Sequence, residues 1–175
     1  MRRATRTKIG AAMRRRWAER KARRFVYAAG PMTGITVGGA RTWRRKITNV
    51  LERAGFTVLD PTRRDKDMAP DEVYGNDALT DPERRFIHDA DLRDLRMADV
   101  FLLYLNAEAV SIGSIWEAGW ADILGKPIVI AVADSKYRDH PFVTGCGARV
   151  FPALPEAIRY IIATYAKEET HAKVG

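Results

Sequence analysis

At 175 residues, 46% of them apolar, the chain is long enough to bury one substantial core and too short for two ordinary domains. Thirteen Gly and eight Pro are near average usage, which excludes collagen-like and low-complexity chains. The single cysteine, Cys146, excludes an internal disulfide and a CxxC metal knuckle and fits a reducing, cytoplasmic setting. The formal net charge of +8 is unevenly spread: residues 1–24 hold 11 Lys and Arg against Glu19 alone, net +10, whereas residues 25–175 carry 19 basic and 21 acidic residues, net −2. Two parts are therefore expected, a basic N-terminal extension (1–24), flexible or partly helical, and a nearly neutral globular domain (25–175). The extension reads either as a solvated tail or as an arm attracted to the phosphates of nucleic acid. No apolar run approaches the roughly 20 residues that span a bilayer, and no apolar segment of a secretory signal follows the arginines, so a soluble protein without membrane contact is expected.

Residues 25–29 (FVYAA), closed by Gly30 and Pro31, predict a first strand feeding a turn. Beyond Gly34, Gly38 and Gly39, the apolar residues Trp43, Ile47, Val50, Leu51 and Ala54 recur at helical spacing with Arg41, Arg44, Arg45 and Arg53 between them, and Gly55 marks the end. Residues 56–59 predict a second strand stopped by Asp60 and Pro61. The stretch 62–80 is polar, has no period and is long for a connection in a compact domain, which predicts a binding loop or lid. A helix over 81–98 follows, with Asp81 as N-cap and Pro82 at its first position. Residues 100–105 predict a buried strand, 113–124 a helix closed by Gly125, 128–132 another buried strand, and 155–167 a last helix. Strands that are continuously apolar and alternate with helices predict a small doubly wound, Rossmann- or flavodoxin-like parallel sheet of about five strands with helices on both faces. Ligands in such sheets sit at the carboxyl ends of the strands.

Three segments fall at that edge. In the first, Gly30 and Gly34 allow close backbone approach to a ligand, although the segment is neither GxGxxG nor a Walker loop and equally suits a plain strand-to-helix turn. In the second, Asp91 lies between Ile87 and Leu95 on an apolar stripe, where an unpaired carboxylate is costly; it is either paired with an arginine such as Arg84 or kept for a task. Asp89 and Asp94 read as solvent-facing, and His88 with Asp91 lacks the further ligands that a metal needs. In the third, Ser114 and Glu117 have capping-box spacing, which gives this glutamate a purely structural explanation. Trp116 and Trp120 suit either the core or a base-stacking platform.

Together, Tyr27, Gly30, Pro31 and Met32, then Asp91 through Ala98, Asp99 and Val100, then Ser111 through the Gly113-x-x-x-Glu117-x-Gly119-x-Ala121 element resemble the nucleoside 2-deoxyribosyltransferase family, which includes 2′-deoxynucleoside 5′-monophosphate N-glycosidases. The resemblance covers roughly residues 25–133 and leaves the basic extension outside it. It implies that Glu117 is the nucleophile that forms a glycosyl ester, that Asp91 protonates or positions the departing base, and that Tyr27 stands close to the nucleophile. It further implies that Gly30, Pro31, Met32 and Gly34 line the sugar and base. Serine at position 111, where transferases of free nucleosides tend to carry aspartate, implies a 5′-phosphate held by Ser111 and the Gly113 N–H. No cofactor and no metal are expected, and the partners implied are a nucleoside or nucleotide substrate and further copies of the chain in a homodimer or larger homo-oligomer. Trp116 and Trp120 are bulkier than the family's usual residues beside the glutamate. Three readings remain: an enzyme acting on an N-glycosidic bond by transfer or hydrolysis, a nucleotide-binding module in which Glu117 caps a helix, and a nucleic-acid-associated protein whose tail is the working part.

Overall fold

The structure, a computed structural model, describes residues 24–77, 79–105, 111–132 and 134–166. The basic extension expected at 1–24 lies outside the described residues except for Arg24, which belongs to the first strand. Five strands form one sheet: β1 (Arg24–Ala29), β2 (Phe56–Leu59), β3 (Val100–Leu105), β4 (Ile128–Val132) and β5 (Arg149–Phe151). All neighbours are parallel and the order is β2-β1-β3-β4-β5, the flavodoxin-like doubly wound arrangement. Its connections diverge between β1 and β3, so the switch point of the sheet lies between the carboxyl ends of these two strands. β5, three residues at the edge, is too short for its apolar pattern to be read from sequence, and the short helices α4 (Ser135–Arg138) and α5 (Pro141–Thr144) likewise had no period to reveal them.

Side chains alternate across the strands, and both faces are apolar. Val26 and Ala28 of β1, Val100 and Leu102 of β3, and Val129 and Ala131 of β4 pack on Ile47 and Leu51 of α1 (Val37–Arg53) and Ile158 and Ile161 of α6 (Leu154–Tyr165). Tyr27 and Ala29 face the other way with Phe101, Leu103, Ile128 and Ile130, against Leu95 of α2 (Asp81–Met97) and Ala121 of α3 (Ile112–Ile123). Asp99 ties the sheet's opposite edge: its carboxylate accepts from the Phe25 N–H at 2.8 Å and its own N–H donates to the Phe25 carbonyl at 2.8 Å.

Most helix boundaries shift by one or two residues from those the sequence predicts, and the start of α1 by more, for local reasons. The N-cap of α2 is Thr80, not Asp81: the Glu83 carboxylate accepts from both the N–H (2.8 Å) and the hydroxyl (2.7 Å) of Thr80. α1 starts at Val37, inside the glycine-rich stretch, with the Thr36 hydroxyl accepting from the Gly39 N–H. Its inner stripe is Val37, Ala40, Arg44, Ile47 and Leu51; Val50, expected inside, is 44% exposed.

The 62–80 stretch is a strap rather than a lid. Asp60 caps a 3-10 turn (Pro61–Arg64), accepting from the Thr62 N–H and hydroxyl, both at 2.8 Å. The chain then laces along the start of α1. The N–H groups of Gly34, Val37 and Gly38 donate to the carbonyls of Tyr74, Glu72 and Pro70 at 2.8–2.9 Å, Tyr74 N–H returns a bond to Ile35, and the Tyr74 hydroxyl reaches the Asp65 carboxylate at 2.9 Å.

Candidate active site

Tyr27 stands near the carboxyl end of β1, fully buried, its ring stacked on Phe101 of the neighbouring strand at 5.9 Å between centroids. Its hydroxyl donates to Glu117 Oε1 at 2.7 Å. Glu117 lies in the second turn of α3 and is only 9% exposed. The capping-box explanation of this glutamate fails: α3 begins one turn earlier than it requires, with Ser111 as N-cap and Ser114 buried inside the helix. Burial and the charge on Asp91 push the Glu117 carboxyl up to about 8, against the opposing pull of the Tyr27 hydrogen bond and of Arg44 and Arg64. Burial raises the Tyr27 phenol as well, so it is a donor at every ordinary pH.

Asp91, in the middle of α2, is half-buried and its carboxylate accepts from Arg64 at 2.6 Å; Arg84 pairs instead with Asp81. Burial holds Asp91 above the usual carboxylate range while the guanidinium draws it down. Asp94, expected on the solvent side, is 1% exposed and takes both Arg63 and Arg64. The correction has a simple cause: the arginines that compensate it come from the 3-10 turn, about 30 residues away, and no spacing rule within a helix reveals them. Asp89 is exposed, as expected.

Between α2 and α3 opens a cleft of about 430 Å³. Asp91 and Glu117 lie in it, with Gly113 at the first turn of α3. Trp116, Trp120, His88 and Ile87 line it as well, and so do Arg84, Asn76 and Leu79, so the strap contributes its far end to the cleft. Trp116 is 64% exposed and belongs to the cleft, whereas the half-buried Trp120 lines the cleft and also packs against the apolar layer under α2 and α3.

The other sequence candidates, Gly30, Pro31, Met32, Gly34 and Ser111, are not among the residues that line this cleft. Gly30 is buried, and a Cβ there would meet the Trp43 ring at 2.6 Å; its carbonyl accepts from Arg44 at 2.8 Å, and that of Pro31 from the same guanidinium at 3.5 Å. Met32 is half-buried, Gly34 adopts φ +80° and gives its N–H to Tyr74, and Ser111 sits at the head of α3. Sequence reasoning missed Arg44, which is 0% exposed, holds the Gly30–Pro31 turn and places its guanidinium over the Trp43 ring, 4.4 Å from the centroid. It read as one of four arginines on a solvent face, and only the carbonyls folded over it distinguish it. Among the described residues, no group of three or more His, Cys, Asp or Glu is placed to hold a metal, and no helix is long and apolar enough to cross a membrane.

The sequence matches the family described as nucleoside 2-deoxyribosyltransferase over residues 26–154. No curated protein matches it. Among solved structures, a 2-deoxyribosyltransferase from Bacillus psychrosaccharolyticus is 22% identical with a TM-score of 0.61, over 80% of this chain and 94% of that one. A conserved protein from Enterococcus faecalis V583 is 17% identical (TM-score 0.59; 80% and 98%), and a 2-desoxiribosyltransferase from Leishmania mexicana is also 17% identical (TM-score 0.57; 81% and 99%). At these identities the likeness is one of fold.

Proposed function

This chain belongs to the nucleoside 2-deoxyribosyltransferase family, and from that premise we propose that it breaks the N-glycosidic bond of a (deoxy)nucleoside or its 5′-monophosphate through a covalent ester on Glu117. The observation that carries this reading is the 2.7 Å bond from Tyr27 to Glu117 at the wall of a cleft that also holds Asp91. Tyr27 fixes one carboxyl oxygen and leaves Oε2 to reach the anomeric carbon. Glycosidic cleavage passes through an oxocarbenium-like state, and a carboxylate on one face of the sugar stabilises that charge and traps it. The arriving sugar favours the ionised form of Glu117 as positive charge develops on it. Asp91, oriented by Arg64, accepts a hydrogen bond from the departing base and so favours its protonated form. Gly113 N–H and Ser111 at the positive end of α3 suit a 5′-phosphate. The turn of Gly30, Pro31, Met32 and Gly34 borders the sugar. The binding-module alternative relied on Glu117 as a helix cap, and Glu117 caps no helix.

The test is incubation with deoxynucleosides and their monophosphates, with and without a free acceptor base, followed by chromatography of the bases. Release from monophosphates without an acceptor identifies a hydrolase; exchange that requires an acceptor identifies a transferase. Glu117→Ala should lose turnover at least a thousandfold with its fold intact, and Glu117→Gln should still bind ligand. Full activity in Glu117→Ala rejects the mechanism.

A further inference from the structure

The cleft contains a histidine that the reaction described so far leaves idle. His88 lies one turn before Asp91 on α2, and residues three apart share a helix face. Its side chain is about half exposed, and its ring stands edge-on against Trp120 of α3, 5.0 Å between centroids at 89°. Its Nδ1 is 2.9 Å from a carboxylate oxygen of Asp89. A carboxylate can only accept, so Nδ1 carries the hydrogen, and Nε2 is the nitrogen left to face a ligand. The charged groups sharing the cleft with the ring are Arg84 and Asp91 on its own helix and Glu117 on α3. Asp91 is the weaker proton donor here, because the Arg64 guanidinium 2.6 Å from its Oδ1 favours the ionised carboxylate.

Resting on the glycosidic reading above, we propose that His88 is the catalytic residue that hands a proton to the departing base, with Asp89 as the group that orients its ring. Imidazole is the side chain best suited to giving and taking a proton near neutrality. As the C1′–N bond breaks, its electron pair passes to the base, the Nε2 proton of the imidazolium moves to a nitrogen or oxygen of the base, and Glu117 bonds to C1′. His88 is left neutral with Nδ1–H on Asp89. In the second half the incoming water or base gives its proton to Nε2 as it bonds to C1′, and Glu117 departs as the carboxylate. Asp91 then holds the protonated base by accepting its N–H, and the two residues divide one task. Trp120 has a matching part, since it braces the imidazole and presents a flat apolar surface to the base.

The experiment compares leaving groups. An ordinary deoxynucleoside monophosphate that the parent turns over is set against N7-methyl-2′-deoxyguanosine and its monophosphate, whose base departs without needing a proton. His88→Gln should slow the ordinary substrate about 100-fold or more and the methylated one less than about threefold, the range expected when general-acid assistance is lost. Added imidazole should restore part of the lost rate to His88→Gly on the ordinary substrate. Equal slowing of both substrates, no slowing of either, or full recovery in His88→Phe, which keeps only the ring packing on Trp120, overturns the proposal. Glu117→Ala, run alongside, separates the two readings: if it keeps activity the covalent mechanism falls irrespective of His88, and a parent that releases no base from any substrate overturns both.

Discussion

A carboxylic acid deprived of water is costly to ionise, and Glu117 shows what that does to the protein around it. Its proton is held more tightly folded than unfolded, up to about 8 against an ordinary value near 4.5. The native state therefore binds the extra proton between those values, so this group's contribution to stability is fully present below about 4.5 and drains away as the pH climbs to 8. At about 1.4 kcal/mol per unit, the loss amounts to a few kcal/mol. Glu117→Gln removes it, and its melting temperature should exceed the parent's by roughly 5–10 °C at pH 8.5 while matching it near pH 5. A difference that does not grow with pH would contradict the burial. Arg44 makes the opposite case, a cation kept inside by carbonyls: it donates to Gly30 at 2.8 Å and Ala40 at 3.0 Å, with Asp60 3.5 Å from its Nε. Arg44→Met strands those oxygens and the Asp60 charge, and should lower the melting temperature by about 10 °C, corresponding to the 3–5 kcal/mol typical of breaking a buried pair. Asp91 stood out in the sequence by its place on an apolar stripe, and Glu117 and Tyr27 by the family resemblance; the structure brings Asp91 and Glu117 to one cleft and bonds Tyr27 to Glu117. Arg44 and Asp94 did not stand out, because what makes them special is a partner tens of residues away.

At the scale of elements, the 3-10 turn and α2 act as a clamp. Arg64 bridges Asp91 and Asp94, and Arg63 adds a second bond to Asp94, so the turn after β2 sets where the site's second acid points. Groups in one such network do not add. In a double-mutant cycle, Arg64→Met and Asp94→Asn should show a coupling of about 1–3 kcal/mol by denaturant unfolding, and strict additivity would mean that solvent, not the network, carries these charges. The order and type of the main strands and helices could be read from the sequence because their periods are long and their stops explicit, Gly55 (φ +85°) and Gly125 (φ +63°) among them. The strap could not. Its bonds to the first turn of α1 are made by backbone, and backbone hydrogen bonds leave no trace in side-chain periodicity; polarity and length suggested a binding loop or lid, and Asn76 and Leu79 do border the cleft.

At the scale of the molecule, one surface of the site helix is unusually apolar. Ile112, Ile115, Trp116 and Ile123 of α3 are between 48% and 84% exposed, and Trp116 also lines the cleft. Large contiguous apolar patches mark interaction sites. We propose that a second copy of the chain covers it, so that the homo-oligomer closes the cleft from outside. Ile115→Glu should shift the assembly to monomer in sedimentation experiments and weaken substrate binding together with it, whereas a parent already monomeric at micromolar concentration would reject this arrangement. The alternation along β1 has a consequence of another kind. Val26 and Ala28 there build the layer under α1 and α6, and Tyr27 and Ala29 face α2 and α3, so Tyr27 reaches Glu117 by parity. One residue inserted between Arg24 and Tyr27 can be absorbed as a frayed strand end, but a slip of one position within the pairing would present Val26 or Ala28 to the glutamate and leave a phenol among the valines. Distance along the chain from the sheet's first pairing is thus itself a functional quantity, and length variation in relatives of this protein should gather in the loops and spare this strand.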